Sequence, residues 1–227
     1  MINFAIRYRP ILDILQRQKP ARVLEVGSGP EGLALFWPGE VIGADVAFKR
    51  RPLHQALAAS ALALPFADQS WPWLVSCDTL EHIPPALRRS AVQEMARVTA
   101  DTLLLAFPSG QAAAAGYARL AQHLTSPPAW LTEHLTHGLP DALTVIGWLE
   151  TAGWSVRPSW HESVEAHYRL MRWETRPVVQ AITYGLMRLC GPWAAAHLPS
   201  SQKEPRLRVL LVARRNHITA KKPDSSL

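Results

Sequence analysis

Sulfur chemistry is scarce in this chain. Its 227 residues include two cysteines, Cys77 and Cys190. Two thiols cannot make a disulfide framework, and a reducing cytoplasm is the expected setting. No run of 18 apolar residues occurs, so no spanning helix is expected. The first fifteen residues are interrupted by Arg7, Arg9 and Asp13 and lack the apolar core of a secretory signal. Internal repeats are absent, which excludes a solenoid. Acidic residues are few at one end: residues 169–227 hold 11 Lys/Arg and 3 Asp/Glu, whereas residues 1–168 hold 13 and 15. Such asymmetry suits an anionic substrate, an anionic membrane surface or nucleic acid, or is simply a solvated basic face. No stacking-aromatic RNA module accompanies it, which disfavours nucleic acid.

What is present begins at Val23-Leu24-Glu25-Val26-Gly27-Ser28-Gly29-Pro30-Glu31-Gly32. A short apolar, β-branched run reads as a buried parallel strand. A glycine-rich turn follows, and then a short helix is expected over 30–36. Val41-Ile42-Gly43-Ala44-Asp45 reads as a second strand ending in a carboxylate. A glycine turn beside a strand-end acid suits a nucleoside cofactor, the acid meeting a ribose diol. Gly27, Gly29 and Gly32 also satisfy the dinucleotide spacing G-x-G-x-x-G.

Further strands are expected near 53–62, 73–77, 102–107, 154–158 and 207–213. Helices are expected before Lys19-Pro20, after Pro84-Pro85, and from Pro140-Asp141 to Gly153. Alternating strands and helices predict a three-layer α/β domain. Two long connections, 108–139 and 161–205, are expected to carry substrate contacts as irregular segments. In the second, Val178, Ile182, Leu186 and Leu189 recur at helical spacing and are expected to pack inward, a membrane-facing or partner-facing helix being the alternative.

Leu64-Pro65-Phe66 and Leu80-Glu81-His82-Ile83, following the glycine loop in this order, closely resemble the central motifs of class I S-adenosylmethionine-dependent methyltransferases (methyltransferase-11-like). The resemblance spans roughly residues 5–160 and the last strand. It implies a Rossmann-like, seven-stranded, mostly parallel sheet with the last strand antiparallel. One domain over 1–218 is expected, in which 161–205, longer than the hairpin the family often has there, forms a helical lid, with a polar, disordered tail at 219–227. The resemblance also implies an enzyme using S-adenosylmethionine. Glu25, Gly27, Ser28, Gly29 and Asp45 would hold its methionine and ribose. Ser60, Ala61 and Leu62 would flank adenine, with Cys77 and Asp78 beside it. Three positions depart from the family pattern: Glu31 stands for the third loop glycine, Ser60 for an acid, and Trp71-Pro72 for an aromatic-Asp pair.

His82 is the candidate general base, since imidazole can take a proton at neutral pH; a purely structural role weighs equally. Asp78-x-x-Glu81-His82 also resembles the Glu-x-x-Glu-His of metal-dependent methyltransferases, with His134 or His137 as the distant partner; no metal is the favoured expectation. Glu133, His134 and His137 either meet a polar acceptor or serve as a structural lead-in, the latter being preferred. The expected acceptor is an oxygen of a small molecule, glycan or lipid-linked compound. The expected location is cytoplasmic, with contact to an anionic membrane surface as the alternative. RNA methylation, a non-catalytic scaffold and an NAD-dependent oxidoreductase are the competing readings; the last lacks a Tyr-x-x-x-Lys pair.

Overall fold

A computed structural model of the protein describes residues 1–198 and 203–216. The expected tail, 219–227, lies outside them. Among the described residues, seven strands form one sheet in the order β3-β2-β1-β4-β5-β7-β6. These are β1 (Arg22–Val26), β2 (Glu40–Asp45), β3 (Gln55–Ala58), β4 (Trp71–Cys77), β5 (Thr99–Pro108), β6 (Trp154–Ser163) and β7 (Arg206–Arg215). β7 runs antiparallel to both of its neighbours, and the other pairings are parallel. The expected fold class and topology are both present.

The strands are buried on two faces, so their apolar residues divide by parity. Leu24, Val26, Leu74, Leu103 and Leu105 pack under α2 (Pro85–Val98) and α5 (Ala142–Thr151). Val23, Val75, Leu104 and Ala106 pack under α1 (Ile2–Gln18) and α7 (Pro177–His197). Helix ends follow local chemistry. Lys19 adopts a left-handed conformation and returns its N–H to the Leu15 carbonyl, closing α1. Asp141 caps α5 by accepting from the Thr144 N–H at 2.8 Å, and Gly153, with φ 84°, follows its end.

Three expectations are corrected. The glycine loop leads into one short 3₁₀ turn, Leu33–Leu35, not a helix over 30–36. Residues 108–139 are not irregular; they form α3 (Gln111–Gln122) and α4 (Ala129–His137). Helix α6 (Val164–Glu174) and α7 follow β6, and α7 is turned the other way round from expectation. Its inner face is Thr183, Met187, Gly191, Ala194 and Ala195, while Val178, Ile182, Leu186 and Leu189 face outward. Gly191 explains the choice: a Cβ there would lie 2.5 Å from the Leu35 carbonyl, so α7 approaches on its small-residue side. α7 bends at Cys190, two residues before Pro192.

Helices α3, α4 and α6 gather their own apolar cluster around Tyr117, Leu131 and Tyr168. The carboxylate of Glu174, at the end of α6, accepts the N–H groups of Ile2 and Asn3 at the start of α1. That contact places an acid at a helix N-terminus and ties α6 to α1.

Candidate functional site

The carboxyl ends of β1, β2 and β4 open into two adjoining cavities. The smaller, about 440 Å³, is lined by the glycine loop, Asp45, Val46, residues 59–62, Thr79 and the 82–84 turn. The larger, about 670 Å³, lies toward α1, α4, α6 and α7. Phe4, Arg7, Asp78 and His82 line both and so form the wall between them.

Glycine shapes the smaller cavity through contacts no side chain would permit. A Cβ on Gly27, whose φ is 76°, would lie 2.1 Å from the Thr79 hydroxyl. One on Gly32 would lie 2.2 Å from a Glu25 carboxylate oxygen. The Gly29 N–H donates to the Asp45 carboxylate at 2.8 Å, which fixes that side chain at the cavity edge. Val46, Leu62 and Leu87 are apolar, exposed and line the same space. Ser60 turns its hydroxyl back to accept the Leu62 N–H at 3.2 Å.

Gly27, Ser28, Gly29, Asp45, Ser60, Ala61, Leu62, Asp78 and His82 therefore come together around this cavity. Glu25 and Cys77 do not line it. Glu25 is fully buried beneath the loop, accepting from the Tyr8 hydroxyl at 2.6 Å and the Leu33 N–H at 2.7 Å. Burial pushes its pKa up to about 7, against the pull of those two hydrogen bonds. Cys77 points to the opposite face of the sheet, into the core under α1. Both corrections follow from strand parity.

Glu31, the departure from the glycine pattern, has a partner on α7. Its carboxylate accepts from the Tyr184 hydroxyl of α7 at 3.1 Å and pairs with Arg50 at 3.1 Å. The glycine loop and α7 are thereby joined.

The larger cavity is built on buried charge. Asp78, held at φ 52°, accepts from Arg7 at 3.0 Å and from the Arg208 guanidinium at 2.6 Å. Arg208 also pairs with Glu162, which accepts from His167 at 2.8 Å. Burial alone would raise the carboxyl pKa values. Instead Arg208 and Arg7 hold Asp78 well below the ordinary range, and Arg208 with His167 brings Glu162 to about 2. Burial likewise opposes the Arg208 charge, and the two carboxylates outweigh it. The result is a fixed, fully ionised cluster.

His82 stands at the end of a 3₁₀ turn, Leu80–His82. Arg88 of α2 donates to the carbonyls of Leu80 and Ile83 at 3.0 Å each, and to His137 at 3.2 Å, so one side chain holds both the turn and the end of α4. The His82 Nδ1 is 2.6 Å from Glu133. With that nitrogen donating to Glu133, the lone pair is on Nε2. It lies 3.4 Å from the His134 Nε2, which in turn is 3.9 Å from Glu81. Burial drives the His134 pKa down to about 3 and, with Asp78, drives that of Glu81 well above the carboxylate range. Both Glu81 oxygens are buried with no hydrogen-bond partner among the described residues.

Glu81, His82 and His134 present ligand atoms within 4.8 Å of one another. Asp78 is not among them, because Arg7 and Arg208 occupy it. His134, in the α4 segment before the next helix, thus lies against both His82 and Glu81. Arg7, Arg208, Glu162, His167 and Arg88 escaped the sequence reading. Their one signal was a charge set inside an apolar run, as in Leu207-Arg208-Val209.

No protein-family profile matches the sequence, and no curated protein matches it. Solved structures match in fold. Magnesium protoporphyrin IX methyltransferase from Synechocystis PCC 6803 with bound SAH gives a TM-score of 0.54 at 12% identity, over 91% of this chain and 80% of that one. A SAM-dependent methyltransferase from Archaeoglobus fulgidus gives 0.53 at 15%, over 91% and 94%. The YcgJ protein from Bacillus subtilis gives 0.55 at 17%, over 92% and 98%. Strand order, the antiparallel β7 and these superpositions agree: the chain has the three-layer, Rossmann-like fold of class I S-adenosylmethionine-dependent methyltransferases.

Proposed function

We propose that the chain transfers a methyl group from S-adenosylmethionine to an oxygen of a polar acceptor, either a small molecule, a glycan or a lipid-linked compound. The observation that carries this reading is the shared wall. A nucleoside-sized cavity and a larger polar cavity meet at Asp78 and His82.

The residues of the smaller cavity suit the cofactor. Asp45 offers a carboxylate to vicinal hydroxyls, and its geometry is set by the Gly29 N–H. Gly29 leaves open space where a Cβ would stand. Val46, Leu62 and Leu87 supply an apolar wall for a base. Bound cofactor supplies an activated methyl group on sulfur. The chain aligns donor and acceptor across the wall. His82 Nε2 receives the proton of the attacking hydroxyl as the oxygen–carbon bond forms. When bound, S-adenosylmethionine would give up that methyl with the bond's electron pair staying on its sulfur. Glu133 keeps the imidazole oriented for this step. The buried Arg7–Asp78–Arg208 cluster supplies a rigid, charged boundary.

Crystals grown with S-adenosylhomocysteine test this. Its ribose is expected at Asp45 and its sulfur at the wall formed by Phe4, Arg7, Asp78 and His82. A ligand seated with sulfur toward Val46 and Leu62 overturns the reading. Labelled methyl transfer separates the enzyme from a scaffold that binds without turnover.

A second reading rests on Glu81. Its two orphaned oxygens, with His82 and His134, suit a divalent cation that would polarise the acceptor hydroxyl. Two nitrogens of a tetrahedral site stand about 3.3 Å apart, and the two imidazoles are at 3.4 Å. Cobalt(II) spectra that lose intensity in Glu81→Gln support it; activity that survives exhaustive chelation removes it.

A further inference from the structure

Helix α7 carries its large apolar residues on the outside. Val178, Ile182, Leu186 and Leu189 follow one another at spacings of four, four and three, a single helical face, and Trp193 stands exposed beyond the bend at Cys190. Their exposures run from 51% at Leu186 to 87% at Leu189. The inner face is made of Thr183, Met187, Gly191 and alanines. This inverts the ordinary arrangement, and a contiguous apolar strip on a folded domain marks a contact surface.

At the N-terminal end of the strip lies a groove of about 550 Å³ lined by Arg169, Arg172, Trp173 and Arg176. No acid lines it. Arg188 stands exposed among the apolar residues, and it is the one Lys, Arg, Asp or Glu of α7. An apolar face, exposed tryptophans and a basic margin together are the features of an interfacial helix on anionic lipid.

We propose that this face docks the protein on an anionic bilayer surface, with the strip set among acyl chains and the arginine groove on phosphate headgroups. Charge decides between lipid and a second copy of the chain. Neither the strip nor the groove carries an acid that a second copy could set against Arg188, Arg172 and Arg176, whereas anionic headgroups neutralise them. No helix of the described residues is long and apolar enough to cross the membrane, so the contact is peripheral. Position adds to the case. Pro177, the first residue of α7, lines both the arginine groove and the larger cavity, so docking brings that cavity's rim to the headgroup layer. Surface binding does not depend on the proposed chemistry; the inference that the acceptor is membrane-borne rests on it.

Sedimentation of the full chain with vesicles tests the proposal. Binding is expected to phosphatidylcholine vesicles containing phosphatidylglycerol, and not to phosphatidylcholine alone. Arg172→Ala and Arg176→Ala are each expected to weaken it about fivefold, and added salt should weaken it further. Leu189→Glu should weaken it by at least as much, with an unchanged melting curve because the side chain is exposed. Retained vesicle binding in the Leu189→Glu variant overturns the proposal. So does a stable dimer of the parent chain in light scattering that Leu189→Glu dissociates. Titration of S-adenosylhomocysteine into the same variants separates the two claims: failed vesicle binding with intact ligand binding sinks only the docking surface.

Discussion

The two cavities share a wall but are made differently. Outside the shared wall the smaller is built from short segments at strand ends: a glycine loop, a strand-end carboxylate, the turn after β3 and the stretch from Thr79 to Leu87. Its polar contacts are few and use backbone. The larger draws side chains from α1, α3, α4, α6, α7 and β7, and its centre is a buried array of opposite charges. The first is a cradle that needs close approach and little else. The second is a preorganised polar chamber whose order depends on long-range ion pairs. This contrast implies that substitutions in the larger cavity damage the fold, while those in the smaller damage ligand binding.

The largest expected effect lies at Arg208. Arg208→Met leaves Asp78 and Glu162 buried without their shared cation, and a loss of about 3–5 kcal/mol in urea unfolding is expected. A variant as stable as the parent would show that Arg7 and His167 hold the array by themselves.

Titration should separate the two regions next. In β6, beside Glu162 of the buried charge array, burial and then Arg208 lower the pKa of His161 to about 4 in the folded chain. Its folded value lies below its unfolded one, near 6.5, so its contribution is present above pH 6.5 and is lost as pH falls toward 4. At about 1.4 kcal/mol per unit the loss approaches roughly 3 kcal/mol. Glu25, under the glycine loop, acts in the opposite direction. With its folded pKa raised to about 7, its contribution is present below pH 4.5 and is lost as pH rises through 7. Stability measured across pH should therefore lose its acid limb in part in His161→Gln, and its decline toward neutral pH in part in Glu25→Gln. Parallel curves for parent and variants would contradict this division.

At the shared wall, His82→Ala is expected to reduce turnover about 100-fold with S-adenosylhomocysteine affinity unchanged. Equal losses of affinity and stability would assign His82 to holding the turn. The smallest effect is expected at Asp45. Asp45→Ala should weaken S-adenosylhomocysteine by about 1–3 kcal/mol in calorimetry, with the melting temperature little changed.

The same contrast explains what could be read from the sequence. The strands and the smaller cavity rest on short-range patterns, namely apolar parity, glycine at tight contacts and an acid at a strand end, whereas the antiparallel last strand was implied by the family resemblance and the strand order was not read at all. Glu25 and Cys77 were misplaced because motif position does not say which face of a strand a side chain takes. Asp78 was legible as a strand-end acid, but its partner Arg208 lies 130 residues away. Nothing local announces that pairing. Helix α7 was legible as a helix and misread in orientation, since both of its faces are apolar and only Gly191 distinguishes them. The departures from the family pattern proved uneven. Glu31 gained a contact to α7, whereas Ser60 simply closes its own turn.

The central claim is that the smaller cavity takes S-adenosylmethionine. Calorimetric titration of the parent chain with S-adenosylhomocysteine and, separately, with NADH tests it most directly. Saturable binding of S-adenosylhomocysteine with no response to NADH is predicted; tight NADH binding with no response to S-adenosylhomocysteine would contradict the account.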